Sequence, residues 1–104
     1  MKYMVNLKKL QKRILKNKLA KNFNVTDVPL EFCLAHEELS EAWRAYNKRL
    51  PDLGEELADV AIYLLGLAEI LRLDLEKEIL HKIAKNEKRV YKRVRGVNMR
   101  VKDV

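Results

Sequence analysis

The chain is short and basic, and its composition excludes several classes of protein. It has 104 residues and a formal net charge of +7, with 48% hydrophobic residues but only three Gly and two Pro, which favours one small helical domain over residues 1–104 and not a turn-rich β protein. Its single cysteine, Cys33, excludes an internal disulfide and a multi-cysteine zinc site.

Apolar residues at helical spacing predict four helices and no strand. The first helix runs from about Asn6 to Lys21. The second starts near Pro29, because proline is favoured in the first turn of a helix, and ends at about Lys48.

The third and fourth helices each follow an aspartate that we expect to cap the helix. The third follows Asp52 and ends at about Leu71, and the fourth follows Asp74 and ends at about Val94. Because the connections are short, we expect an all-α, four-helix bundle-like domain, with residues 97–104 as a loose tail. The N-terminal segment is rich in lysine and the longest apolar run is too short to span a bilayer, so we expect a cytoplasmic protein without a membrane partner.

Four carboxylates interrupt the apolar parts of the second and third helices. Glu38 and Glu41 lie three residues apart, as do Glu56 and Asp59. Residues at this spacing share a helix face, so two packed helices would bring the four groups together. Surface salt bridges with lysines are the ordinary alternative, but buried like charges are costly unless a cation offsets them. Oxygen-only ligands favour Mg²⁺ or Mn²⁺, and Mg²⁺ commonly joins carboxylates to substrate phosphates, which suggests hydrolysis of a phosphoanhydride.

The order of these acidic pairs is similar to that of a known family. Glu38–Glu41 forms an E-x-x-E element, fourteen residues follow (42–55), and Glu56–Asp59 forms an E-x-x-D element. In this the chain resembles the MazG-like family of all-α nucleoside triphosphate pyrophosphohydrolases, relatives of the dimeric dUTPases and dCTP pyrophosphatases. The resemblance covers about residues 5–96.

The resemblance implies a reaction, a cofactor and a set of site residues. The reaction converts an NTP or dNTP and water into the NMP or dNMP and pyrophosphate, with Mg²⁺ as cofactor and Mn²⁺ as a substitute. The implied metal-binding and catalytic residues are Glu38, Glu41, Glu56 and Asp59. The implied polyphosphate-binding residues on the last helix are Lys82, Asn86 and Arg89. The resemblance also implies a homodimer or homotetramer.

Aromatic residues near the acidic pairs suit either of two roles, substrate contact or packing. Tyr63 lies four residues after Asp59 and is therefore expected to point toward the same site, where its hydroxyl would touch substrate. A core tyrosine with a satisfied hydroxyl is the alternative. Phe23, Trp43 and Tyr46 would stack on a base or pack in the core or at a subunit interface.

Two other functions were weighed against the hydrolase. Residues 2–21 and 82–102 are strongly basic around an acidic centre, which would also suit a nucleic-acid-binding or assembly module. A nucleic-acid-binding function does not explain the four carboxylates, so nucleic acid is not the expected partner. A di-iron site needs a second E-x-x-H beside Glu78–His81, and His36 is preceded at that spacing by Cys33.

Overall fold

The computed structural model describes residues 4–102. In chain order the elements are α1 (Leu7–Ala20), α2 (Val28–Asn47), α3 (Leu53–Ile70), α4 (Leu75–Lys88), β1 (Val90–Val94) and β2 (Val97–Lys102). α3 packs between α2 and α1, and α4 packs against α1. A mainly helical domain with four helices is therefore confirmed within residues 4–102. None of the described helices has both the length and the apolar character needed to cross a bilayer.

Side chains cap three of the helices, and the predicted cap at Asp74 is one of them. The side-chain oxygen of each cap accepts a hydrogen bond from the backbone N–H three residues later, and the caps are Asn6, Asp27 and Asp74. The predicted cap at Asp52 is wrong, because its side chain makes no such bond at the start of α3. Its ψ of 15° lies outside the extended region that a capping residue usually adopts.

The first three helices end in the same backbone arrangement. Asn22, Arg49 and Arg72 adopt left-handed φ angles of 56°, 55° and 59°. The next residue in each case returns its N–H to a carbonyl five positions earlier, at 2.8 Å. These bonds run from Phe23 to Lys18, from Leu50 to Ala45 and from Leu73 to Ala68. The arrangement satisfies carbonyls at the helix ends and turns the chain within a few residues.

Small side chains bring the helices close together around a modest core. The buried apolar residues are Ala42 and Ala45 of α2 and Leu65, Leu67 and Ala68 of α3. At Gly66 an added Cβ would lie 3.1 Å from Cγ2 of Ile14, so this glycine permits the close approach of α1 to α3. The central helix α3 is thereby held against both neighbours.

A buried glutamine fixes the connection between α3 and α4. Gln11 is 1% exposed, and its Nε2 donates to the carbonyl of Leu73 at 2.8 Å and to Oε1 of Glu69 at 3.2 Å. Its Oε1 accepts from the backbone N–H of Leu75 at 2.9 Å. One polar side chain thus satisfies backbone groups that the turn leaves unpaired.

The C-terminal region corrects three predictions, including the expectation that the chain forms no strand. α4 ends at Lys88 and not near Val94, and the segment expected as a loose tail contributes β2 to an antiparallel hairpin with β1. Arg95 and Gly96 form the two-residue turn with φ angles of 51° and 78°, as type I′ hairpins require. Residues 103 and 104 lie outside the described residues. The missed signal was the alternation of apolar and polar residues in β2, where Val97, Met99 and Val101 alternate with polar side chains.

Candidate functional site

Three of the four predicted carboxylates come together where α2 packs against α3. Glu38 of α2 and Glu56 and Asp59 of α3 each offer an oxygen, and these oxygens all lie within 4.8 Å of one another. All three side chains are partly buried. The small residues Ala42 and Ala45 let the helices approach closely enough for this juxtaposition. We call Glu38, Glu56 and Asp59 the carboxylate trio.

Two oxygens of the trio have no partner. Oε2 of Glu38 and Oε2 of Glu56 are shielded from solvent and receive no hydrogen bond from any described residue. Buried polar atoms in folded proteins are nearly always hydrogen-bonded, and exceptions call for an explanation such as an ion. The two unsatisfied oxygens therefore mark a place where the protein itself supplies no compensating charge.

Electrostatics within the trio disfavour the ionised forms. Partial burial raises the pKa of Glu38, and the charges of Glu41, Asp59 and Glu56 raise it further. Partial burial also raises the pKa of Glu56, followed by the charges of Asp52, Glu41 and Asp59. A bound cation would reverse both effects, because it stabilises the charged form that burial and like charges penalise.

Glu41 stands beside the trio without belonging to it. Its charge acts on both Glu38 and Glu56, and it is partly buried on the same face of α2 as Glu38. Its oxygens are not part of the group that lies within 4.8 Å. The structure thus separates one carboxylate from the other three, which the sequence pattern alone did not do.

Tyr63 lies next to the trio on α3. Partial burial raises the pKa of its hydroxyl, and so do the charges of Glu38, Glu31 and Asp59. Nζ of Lys18 lies 5.2 Å from the centre of its ring, within the range of a cation–π contact. The ring therefore stands between the acidic residues and a lysine of α1.

A second acidic group, absent from the sequence predictions, is fully compensated. Glu31 is 2% exposed and forms an ion pair with Lys18. Its Oε2 accepts a hydrogen bond from Nδ2 of Asn24 at 3.1 Å. Glu31 lies seven residues before Glu38 on the same face of α2, and this spacing was the available signal.

The predicted polyphosphate residues lie on a different element. Lys82 and Asn86 are exposed on α4, and Oδ1 of Asn86 accepts from Nη1 of Arg89 at 3.0 Å. α4 packs against α1, whereas the trio lies between α2 and α3. The assignment of these three residues to a polyphosphate stays a prediction.

Comparison with known proteins adds no relative. No family model, no curated protein and no solved structure matches the chain.

Proposed function

We propose that this chain is a Mg²⁺-dependent nucleoside triphosphate pyrophosphohydrolase, which converts an NTP or dNTP to the monophosphate and pyrophosphate. The observation that carries the proposal is the carboxylate trio with its two shielded, unpartnered oxygens. The resemblance of Glu38–Glu41 and Glu56–Asp59 to the E-x-x-E and E-x-x-D elements supports the choice of reaction.

The donor set fits a hard divalent cation. Glu38, Glu56 and Asp59 would hold it through carboxylate oxygens alone, which suits Mg²⁺ or Mn²⁺ and not zinc. When bound, such an ion supplies a Lewis acid for phosphate oxygens and lowers the pKa of a coordinated water. The three side chains would hold the ion where it meets the polyphosphate.

Glu41 is the carboxylate that we assign to proton transfer. It acts electrostatically on Glu38 and Glu56 and contacts the side chain of Glu38, but it is not part of the group whose oxygens all lie within 4.8 Å of one another. In the proposed reaction Glu41 accepts the proton of the water that attacks the α–β phosphoanhydride, the bond to the departing phosphate breaks, and pyrophosphate leaves. General-base catalysis of this kind contributes about 10²- to 10⁴-fold.

Self-association is part of the proposal. The radius of gyration is 17.0 Å, whereas a compact chain of this length has about 13 Å. No residue of α4, which is described in full, is buried. Trp43 and Tyr46 are 59% and 63% exposed on α2 and line an apolar hollow with Leu57 of α3. Exposed apolar surface of this extent favours a homodimer or homotetramer.

A product assay tests the reaction. Purified protein is incubated with canonical and modified NTPs and dNTPs, with Mg²⁺, with Mn²⁺ and with EDTA, and the products are separated by chromatography. We expect equal amounts of pyrophosphate and nucleoside monophosphate only with metal. Orthophosphate with the diphosphate would mean cleavage at a different bond, and no product from any nucleotide would contradict the proposal.

Replacing Glu41 separates proton transfer from metal binding. We expect Glu41→Gln to lose about 100-fold or more in turnover while Mg²⁺ still raises its melting temperature. Asp59→Asn should lose both turnover and the Mg²⁺ effect, because Asp59 belongs to the trio. Loss of the Mg²⁺ effect in Glu41→Gln would place Glu41 among the ligands and leave the base unassigned.

A further inference from the structure

An open cleft of about 780 Å³ lies between α1 and α3, and its lining includes Tyr63, four residues after Asp59 on α3. Its α1 wall contains Arg13, Lys16 and Asn17, its α3 wall contains Tyr63, and Phe23 lies in its lining just beyond the end of α1. A cleft of this size is large enough for a small organic ligand such as a nucleoside.

The lining of the cleft carries charge of one sign. Arg13, Lys16 and Lys18 contribute to it, and none of the lining residues within 4–102 is a carboxylate. The trio is acidic, and two of its oxygens have no partner among the described residues. A ligand that spans both places therefore needs an anionic part that a metal can hold at the trio and an uncharged or anionic part that suits the basic cleft.

The remaining surface of the cleft suits a flat ring. Phe23 is 56% exposed and presents an aromatic face, and the ring of Tyr63 forms part of the opposite wall. Leu10, Ile14 and Leu65 supply apolar surface between them. Bases stack on aromatic side chains whatever their sequence identity, and such contacts are a common source of nucleotide affinity.

Tyr63 connects the cleft to the trio. The charges of Glu38 and Asp59 act on its hydroxyl, and its ring lines the cleft. Lys18 lies over the same ring, also lines the cleft, and is held by Glu31. A fixed lysine and a tyrosine thus stand at the junction of the basic and acidic regions.

We infer that the cleft between α1 and α3 binds the nucleoside end of the substrate, while the polyphosphate reaches the carboxylate trio past Tyr63. This inference rests on the proposed function and adds the place and the chemistry of base recognition. The base stacks on Phe23, and the polar groups of α1 contact its edge.

The polar lining also selects among bases. Arg13 and Lys16 only donate hydrogen bonds, and Asn17 donates through its amide as well as accepting. At the edge position that distinguishes the bases, O6 of guanine and O4 of uracil and thymine accept from these donors, whereas the amino groups of adenine and cytosine at the same position only donate. Guanine, uracil and thymine nucleotides are therefore preferred over adenine and cytosine nucleotides.

The first test measures the binding of nucleoside monophosphates under conditions without turnover. The full chain, labelled with ¹⁵N and kept in EDTA, is titrated with dGMP, dUMP, dAMP and dCMP while its amide spectrum is recorded. The expected shifts are in the Asn17 side-chain amide and the Phe23 backbone amide, and they are larger with dGMP and dUMP. Shifts confined to other regions, or equal for all four nucleotides, would overturn the placement or the selectivity respectively. The absence of any shift would overturn both.

Kinetic variants are the second test, each with a control residue outside the cleft lining. Phe23→Ala should raise KM about tenfold, the size of one lost base stack. Phe32→Ala, which removes another half-exposed phenylalanine away from the cleft, should not. Arg13→Ala should lower the preference for keto bases about tenfold, and Lys12→Ala, an exposed α1 residue outside the cleft lining, should leave it unchanged.

The outcomes separate this inference from the proposed function. Pyrophosphate release that is unchanged in Phe23→Ala and Arg13→Ala would overturn the cleft and leave the reaction standing. Nucleotide shifts at Asn17 and Phe23 without pyrophosphate release from any NTP would do the reverse. Light scattering checks a third possibility: if Phe23→Ala turns an oligomer into a monomer, the cleft is a subunit interface and the inference is wrong.

Discussion

Glu31 and Glu38 lie seven residues apart on the same face of α2, yet their surroundings differ. Glu31 is paired with Lys18 and hydrogen-bonded by Asn24, so the chain itself compensates its charge. Glu38 faces Glu56 and Asp59 and has an oxygen with no partner among the described residues. A buried charge with protein partners serves the fold, and one without them indicates a missing ligand. The following predictions test this contrast.

The largest effect should follow from removing a charge of the trio. Glu56→Gln and Asp59→Asn should each lower turnover on the order of 10³-fold, the scale of losing one preorganised electrostatic contact. The exposed Glu55→Gln, adjacent in sequence, serves as the control and should retain activity. Circular dichroism should show the same helical content in all three. Full activity in Asp59→Asn would contradict the assignment of the trio.

Breaking the compensated pair should instead affect the fold. Lys18→Met leaves Glu31 buried without its counter-charge and should lower the free energy of unfolding by about 3 kcal/mol, seen as a melting temperature lower by at least about 10 °C. The double variant Lys18→Met/Glu31→Gln removes both charges and should recover most of the loss. A melting temperature unchanged in Lys18→Met would show that the pair does not stabilise the fold.

Added Mg²⁺ should stabilise the folded protein through the carboxylate trio and not through the Lys18–Glu31 pair. Mg²⁺ at about 100 times its dissociation constant should raise the free energy of unfolding by about 2.7 kcal/mol. The increase should be lost in Glu38→Gln and kept in Lys18→Met/Glu31→Gln. It should also shrink as the pH falls from neutral toward 4.5, because the raised pKa values of Glu38 and Glu56 make protons compete with the metal. Calorimetry across this pH range measures this directly.

The smallest effect concerns the metal-free protein. The folded-state pKa of Glu38 lies above its ordinary value of 4.5, so its ionised form opposes folding at neutral pH. Glu38→Gln in EDTA should therefore raise the melting temperature at about pH 8, by less than the loss in Lys18→Met. The difference should disappear as the pH falls through the raised pKa toward 4.5, where wild type is also neutral. A lower melting temperature in Glu38→Gln at about pH 8 would contradict the electrostatic repulsion between Glu38 and the neighbouring carboxylates.

The sequence was sufficient for what depends on local spacing. Apolar periodicity predicted the helices, and the i, i+3 acidic pairs predicted that four carboxylates would meet, of which Glu38, Glu56 and Asp59 lie within 4.8 Å of one another. The sequence was insufficient where two contacting residues are far apart in the chain. Lys18 is thirteen residues from Glu31, and Gln11 reaches Leu73 across 62 residues, so neither contact has a local pattern.

The hairpin was missed for a different reason. Its signal is local, but helix-favouring residues just before it, in Lys82–Arg89, encouraged the extension of α4. Gly96 was taken as the end of that helix, although it forms a hairpin turn with Arg95. A helical pattern before Val90 competed with a hairpin pattern after it. The hairpin pattern consists of the Arg95–Gly96 turn and the apolar–polar alternation of β2.

The repeated left-handed helix ends limit how the site can move. Arg49 joins α2 to α3, and Leu50 returns its N–H to Ala45 at 2.8 Å, so the joint has little freedom to hinge. Separating the two helices would break that bond and expose Ala42 and Ala45. An ion should therefore enter and leave by rotation of the carboxylate side chains, within a frame that stays rigid on the timescale of such rotations.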